Sequence, residues 1–334
     1  MNESTFIVTG GAGFIGSHLA DQLLSFGKSV IVVDNLSSGF ERNIPKHERL
    51  KFLNIDISNW NDLSSAYSYF QGAKGVFHLA AEARIQPSIQ KPFLTNETNV
   101  RGTLNVLEMM KMLQIKNIIY SSSSSCYGPD AEMPCMPDAV PNCQTPYSVS
   151  KLMGELYCQT WGKLHGINNI ILRYFNVYGK NSPLEGKHAP VVGLFINQVL
   201  NNKPLTIVGT GEQKRDFTHV SDVVSANLLA MKALMDRDTE QISGEVFNVG
   251  TGVNYSIMEV ADMVIGIAKK ITEREGFCKV LLPLRTGESK ETLASIDKTS
   301  TTLGYRPRIG LYPGVCELLQ QSIEATRSID KPAT

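Results

Sequence analysis

The chain has 334 residues, enough for about two domains. Lys plus Arg and Asp plus Glu both total 32, so the formal net charge is zero, which removes the electrostatic reason to expect nucleic acid or a membrane surface as partner. Apolar runs stay short of the roughly 18 residues of a membrane span, and Met1-Asn2-Glu3-Ser4 lacks the basic-then-apolar order of a signal peptide.

In chain order, the apolar run at residues 6–8 predicts a strand and residues 14–26 a helix. Further strands are expected at 30–33, 50–54, 75–79, 117–120 and 169–172, with helices at 93–113 and 146–164. Strands alternating with helices imply a Rossmann-type, doubly wound α/β fold with a parallel sheet covered on both faces. After Tyr178-Gly179 the pattern changes. Residues 180–188 read as a loop, and shorter helical patterns follow at 191–200, 220–235, 256–268 and 313–325. The expected division is a dinucleotide domain over 1–178, with 219–250 returning to it. A smaller mixed α/β substrate domain takes 179–218 and 251–330. Six cysteines (Cys126, Cys135, Cys143, Cys158, Cys278, Cys316) show no C-x-x-C spacing. They read as reduced thiols, which points to the cytoplasm, and no metal site is expected.

Between the first strand and first helix lies Val8-Thr9-Gly10-Gly11-Ala12-Gly13-Phe14-Ile15-Gly16. Gly10, Gly13 and Gly16 allow a sharp turn, close approach of backbone to a pyrophosphate, and tight packing of the helix. The helix start at Phe14 and Ile15 then offers free N–H groups to phosphate. Asp34 ends the second strand, where a carboxylate accepts from ribose hydroxyls and repels a 2′-phosphate. With Asn35 following instead of Arg, the cofactor expected is NAD. Asp56 and Ile57, past the third strand, are candidates to flank adenine.

Tyr147-Ser148-Val149-Ser150-Lys151 sets a tyrosine and a lysine on one helical face. A phenol titrates near 10, too high for a base at neutral pH. A nearby ammonium favours the phenolate, making Tyr147 a candidate base for an alcohol and Lys151 a candidate holder of the nicotinamide ribose. The serine run Ser121 to Ser125 extends the fifth strand into the same crevice.

The glycine loop, Asp34, His78-Leu79-Ala80-Ala81, the serines before Tyr127-Gly128, and the Tyr147/Lys151 pair together resemble the extended short-chain dehydrogenase/reductase family. Within it, the chain is similar to nucleotide-sugar epimerases. Arg173-Tyr174-Phe175-Asn176-Val177-Tyr178-Gly179, Arg215-Asp216-Phe217 and Arg285-Thr286-Gly287-Glu288 extend the likeness over nearly the whole chain. The resemblance implies that Ser123 is the catalytic serine and that Leu79, Ala80, Ala81, Asn99 and Tyr174 border NAD. It implies a UDP-sugar substrate, with Asn176, Arg215 and Arg285 at its diphosphate, Glu288 at its ribose, and Val191 and Val192 at its base. Dehydratases of the family carry Asp-Glu where this chain has Ser124 and Ser125, which disfavours elimination. His78 and His219 are expected to be structural.

The reaction implied is epimerisation at C4 through a transient 4-keto sugar. At the size-gating position stands Thr292, where hexose-only members carry Tyr. Small Ala83 also lies nearby, so UDP-GlcNAc and UDP-GalNAc are expected substrates, with UDP-Glc and UDP-Gal also considered. Arg84 departs from the family and leaves UDP-glucuronate open. A dehydrogenase that releases its cofactor each turnover, and an NAD-sensing binding protein, are the other readings. The family commonly dimerises through a four-helix bundle, and the apolar residues spread around 93–113 predict a homodimer.

Overall fold

The computed structural model describes residues 4–183, 189–236, 241–283 and 289–329. Its centre is a parallel sheet of seven strands: β1 (Thr5–Thr9), β2 (Ser29–Asp34), β3 (Leu50–Asn54), β4 (Gly75–His78), β5 (Asn117–Ser123), β6 (Asn168–Tyr174) and β7 (Glu245–Val249). Their spatial order is β7-β6-β5-β4-β1-β2-β3. The chain builds outward from β1 to β3, returns to the other side of β1, and builds the opposite way. That reversal opens a crevice beyond the carboxyl ends of β1 and β4, the place where open α/β sheets bind ligands.

The strands are apolar throughout because both faces are covered. Phe6 and Val8 pack with Leu19, Leu23, Val223 and Met231, while Ile7 between them packs with Val106, Leu107, Met110 and Ile118. Helices Phe14–Ser25 and Val220–Asp236 supply the first layer, and Gly102–Met112 and Pro146–His165 the second. Each such buried aliphatic side chain contributes about 1.5–3 kcal/mol, and Leu107→Ala would cost about 2–5 kcal/mol.

Two details differ from the sequence expectation. The stretch at 93–113 is not one uniform α-helix. Pro92–Asn96 passes through a π-helical turn, Glu97–Arg101, into Gly102–Met112. Strand β5 carries the serine run as expected, but only through Ser123, so Ser124 and Ser125 lie beyond the strand. Ser124–Tyr127 then forms a 3-10 turn.

The Pro146–His165 helix lies unusually close to β5. A Cβ on Gly154 would fall 2.0 Å from the Tyr120 hydroxyl, so only glycine admits this approach. The helix starts at a capping box in which Thr145 and Ser148 satisfy each other's backbone N–H, with Pro146 in the first turn. Close packing and a fixed start together set where Tyr147 and Lys151 project.

A second core gathers Tyr178, Val192, Phe195, Ile207, Val260, Val264 and Leu318. It unites helices Val191–Leu200, Ile257–Thr272 and Leu311–Ile329 with the parallel pair Leu205–Val208 and Lys279–Leu282. Asp216 stitches this region to the sheet. Its buried carboxylate accepts from the N–H groups of Thr251, Gly252 and Ala294 and from the Thr251 hydroxyl. Among the described residues no helix is long and apolar enough to cross a membrane.

Candidate active site

A cleft of about 700 Å³ opens at the crevice, and most of the expected site residues line it. At its floor, Gly10 adopts φ +71°, and a Cβ there would meet the Ala80 nitrogen at 2.7 Å. A Cβ on Gly16 would stand 2.2 Å from the Gly10 carbonyl oxygen. The Phe14–Ser25 helix has Gly13 at its cap, with no side-chain cap and no acidic residue in its first turn. Its first N–H groups therefore face the cleft undecorated, the arrangement an anionic pyrophosphate needs.

Asp34 accepts from the Ala12 N–H at 3.0 Å and the Leu36 N–H at 2.8 Å. Burial pushes its carboxyl up from the ordinary range against those two bonds. An ionised carboxylate has about four acceptor sites, so capacity remains for ribose hydroxyls. Asn35 donates to Asp56 at 3.1 Å. Burial raises Asp56, but hydrogen bonds from Ser58 and Asn35 outweigh it and leave the group lowered. Ile57, Leu79, Ala80 and Ala81 complete this wall, the Leu79 and Ala80 N–H groups held by the Thr9 hydroxyl at 3.2 and 3.3 Å. These glycines, the bare helix start and Asp34 fit a dinucleotide.

Asn99 does not line the cleft. Its amide is spent inside the π turn, accepting from the Glu82 N–H at 2.7 Å and donating to the Glu82 carbonyl and the Ser150 hydroxyl. It braces the wall, and its neighbour Thr98 reaches the cleft instead. Tyr174 does line it, with its hydroxyl bonded to Ser121 at 2.8 Å and to Asn227 at 3.0 Å.

The serine, tyrosine and lysine converge. The Ser123 hydroxyl hydrogen-bonds the Tyr147 phenol. Burial raises the phenol, while the Ser123 bond and the Arg84 guanidinium draw it down. The ammonium expected to favour the phenolate behaves differently. Burial pulls Lys151 down to about 8, and its nitrogen donates to the Ser121 carbonyl at 2.9 Å. The cation acting on the phenol in this structure is Arg84.

On the sugar side, Ala83, Arg84, Ser124, Ser125, Val191, Val192, Arg215 and Thr292 all line the cleft. The Ser125 hydroxyl is buried there without a partner among the described residues. Asn176 donates to Thr292 Oγ1 at 3.0 Å and to the Asp216 carbonyl at 3.1 Å, which joins two of the expected substrate residues. Arg285 and Glu288 lie outside the described residues. His78 is wholly committed. Its ring nitrogens pair with Thr9 at 2.7 Å and Thr103 at 2.9 Å, and burial lowers it to about 3. His219 pairs with Ser221 at 2.7 Å and is lowered by burial.

Sequence reading missed the frame behind these groups. Glu155 receives two bonds from Arg173, at 2.9 and 2.6 Å, and a third from Ser122, the residue before Ser123. Ser88 accepts from the Tyr147 N–H at 3.1 Å. Neither has a local signal, since the partners are distant in sequence. The capping box does leave a local signal, Thr145 three residues before Ser148. Among the described residues no three His, Cys, Asp or Glu side chains gather as a metal would need.

Comparison with known proteins agrees with this geometry. Residues 6–250 match the model of the NAD dependent epimerase/dehydratase family. The UDP-glucose 4-epimerase of Thermotoga maritima, solved with UDP-glucose, superposes with a TM-score of 0.87 at 33% identity, over 96% of this chain and 99% of that one. A UDP-N-acetylglucosamine 4-epimerase from Methanobrevibacter ruminantium, in complex with UDP-N-acetylmuramic acid, gives 0.87 at 30% identity over 97% and 100%. The UDP-glucuronate 4-epimerase of Thermodesulfobacterium geofontis is 31% identical over 97% of this chain and 98% of its own length. The chain is thus an enzyme of the NAD dependent epimerase/dehydratase family.

Proposed function

We propose that the protein interconverts the C4 epimers of a UDP-sugar, with UDP-GlcNAc and UDP-GalNAc as the reference pair and UDP-Glc and UDP-Gal as poorer alternatives. The observation that carries this reading is the meeting of Ser123, Tyr147 and Lys151 in the cleft that also holds the glycine loop. Tyr147 takes the proton of the C4 hydroxyl, and Ser123 holds the same oxygen while the proton moves. Gly10, Gly13, Gly16, Asp34 and Lys151 hold NAD, which supplies a reversible hydride acceptor at the sugar's C4. The 4-keto sugar turns within the cleft to offer its other face. Tyr147 returns the proton to the C4 oxygen as C4 takes the hydride back from NADH, which leaves cofactor and phenol as they began.

Small Thr292, already spent on Asn176, supports room for a 2-acetamido group. Asn176 and Arg215 take the diphosphate, with Arg285 joining them; Val191 and Val192 take the uracil, and Glu288 its ribose. In this division residues 1–178 and 219–250 hold NAD, and 179–218 and 251–330 hold the nucleotide sugar. The protein acts as a homodimer. Val149, Met153 and Leu156 make an exposed apolar stripe at helical spacing on the Pro146–His165 helix, beside exposed Phe93 and Leu94. Purified protein given UDP-GlcNAc without added NAD forms UDP-GalNAc by NMR. No epimer from any UDP-hexose refutes the reading.

A further inference from the structure

Three cations line the described part of the cleft: Arg84, Lys151 and Arg215. Lys151 is engaged with the Ser121 carbonyl, and Arg215 donates to the Lys214 carbonyl on the strand beside Thr292. Arg84 is different. It caps the Ile85–Gln90 helix at the cleft wall, and no carboxylate among the described residues pairs with it. Burial disfavours its charged form, and the acting partner is the Tyr147 phenol, which is neutral near pH 7. A guanidinium does not shed its proton at any working pH, so its desolvation is offset only by an anion. Among the described residues the one anion offered is the Tyr147 phenolate of the active form. It is lost when the phenol takes the sugar's proton, so a lasting counter-charge has to come with the substrate.

The bound molecules supply several anionic groups, and position separates them. The cofactor pyrophosphate belongs at the bare helix start after Gly13. The sugar diphosphate belongs by Asn176 and Arg215. What lies beside the Tyr147 phenol is the ring carbon being epimerised. The backbone keeps Arg84 in register with that carbon. Ser88 accepts from the Tyr147 N–H at 3.1 Å and donates to the Ile85 carbonyl at 2.6 Å, which bolts the short helix after Arg84 to the catalytic one. A group on the carbon next to C4 is therefore the one Arg84 meets. On a hexose the candidates are the C3 hydroxyl and C6 on C5. Of the two only C6 can carry a charge, and when it is a carboxylate its two oxygens match the guanidinium fork.

We infer that Arg84 is a specificity residue for an acidic sugar: the substrate is a UDP-linked N-acetylhexosaminuronate, its C6 carboxylate held by Arg84 and its acetamido group admitted by Thr292. This rests on the 4-epimerase reading above and changes only the sugar.

The test uses NAD-loaded enzyme, wild type and Arg84→Gln, with UDP-GlcNAc, UDP-N-acetylglucosaminuronate and UDP-glucuronate. Calorimetry reads Kd, and NMR reads KM and kcat. Wild type binds UDP-N-acetylglucosaminuronate about tenfold more tightly than UDP-GlcNAc, the gain of one charge-assisted pair. Arg84→Gln brings that ratio to about one, chiefly through KM, and Arg84→Lys restores part of it. A wild-type ratio of one or below overturns the inference whether or not the variants fold. So does a ratio that Arg84→Gln leaves intact. So does an equal fall of kcat for both sugars with the two KM values unchanged, which would confine Arg84 to its action on the phenol. If none of the three is epimerised, the 4-epimerase reading fails, while the Kd ratio still decides the role of Arg84.

Discussion

The Lys151 ammonium reaches back to the Ser121 carbonyl at 2.9 Å, so the Pro146–His165 helix is tied to β5 two residues before Ser123. One side chain thus aligns the lysine, the strand end and the serine. The tie is made at a cost, because burial lowers Lys151 from 10.5 to about 8.

That cost has a defined pH window. The folded state releases the proton near pH 8 and the unfolded chain near 10.5, so the unfolded chain binds more protons between them. Stability therefore rises with pH across that window, and the penalty, roughly 3 kcal/mol, is fully present below pH 8. Lys151→Met is expected to raise the Tm of NAD-free protein at pH 7, with the advantage shrinking by pH 10, while kcat falls at least about a hundredfold. Scanning calorimetry at the two pH values checks this. An equal difference at both would show that the lysine carries no burial penalty.

Tyr147→Phe removes the proton acceptor and is expected to lower kcat about a thousandfold with bound NAD unchanged. Ser123→Ala acts more subtly. It deletes the bond that draws the phenol's pKa down. The active species is the phenolate, so the acid limb of the kcat profile moves to higher pH. A profile that falls in height without moving would remove Ser123 from the proton path.

Glu155 and Arg173 form a buried pair directly behind Ser122. Removing one partner strands a charge, so Glu155→Ala costs about 3–5 kcal/mol. Glu155→Gln, which keeps the shape, costs less. Urea unfolding measures both, and a loss for Glu155→Ala below about 1 kcal/mol would show that water reaches the site.

Asp34 is expected to set cofactor choice. Asp34→Ala leaves the Ala12 and Leu36 N–H groups without their acceptor, so NAD affinity falls about tenfold. NADP loses its repulsion and gains relative to NAD. Competition binding reads the ratio, and an unchanged one would leave selectivity elsewhere.

The legible part of this molecule was what depends on near neighbours. Periods of apolar residues marked β1 to β6 and the helices over them, and glycine spacing marked the dinucleotide turn. The Tyr147/Lys151 spacing needed only the pitch of a helix. What stayed hidden depends on long-range pairing. The bonds from Glu155 to Arg173, from Ser88 to Tyr147, and from Asn99 to Glu82 and Ser150 join segments that meet only in the fold. Strand β7 was missed as a strand because its Glu245–Val249 stretch is short, mixed and far from its partner β6. The bond from Lys151 to the Ser121 carbonyl was hidden for a related reason, since its acceptor lies on another element.

The wide turn at Glu97–Arg101 explains an oddity of composition. Phe93 and Leu107 are separated by nearly four α-helical turns and would sit within about 40° of one another on an unbroken rod. One additional residue in the winding rotates them to roughly 140° apart. Phe93 is accordingly 87% exposed, while Leu107 is sealed against the strands. The rod is wound with a phase slip, so a stretch that looks greasy all round sends its early side chains outward and its later ones inward. Deleting one residue from that winding would leave thirteen regular steps between Phe93 and Leu107, still roughly 140° apart, so the outward patch would survive. Rewinding the turn as regular α-helix with every residue kept is what would swing Phe93 toward the sheet.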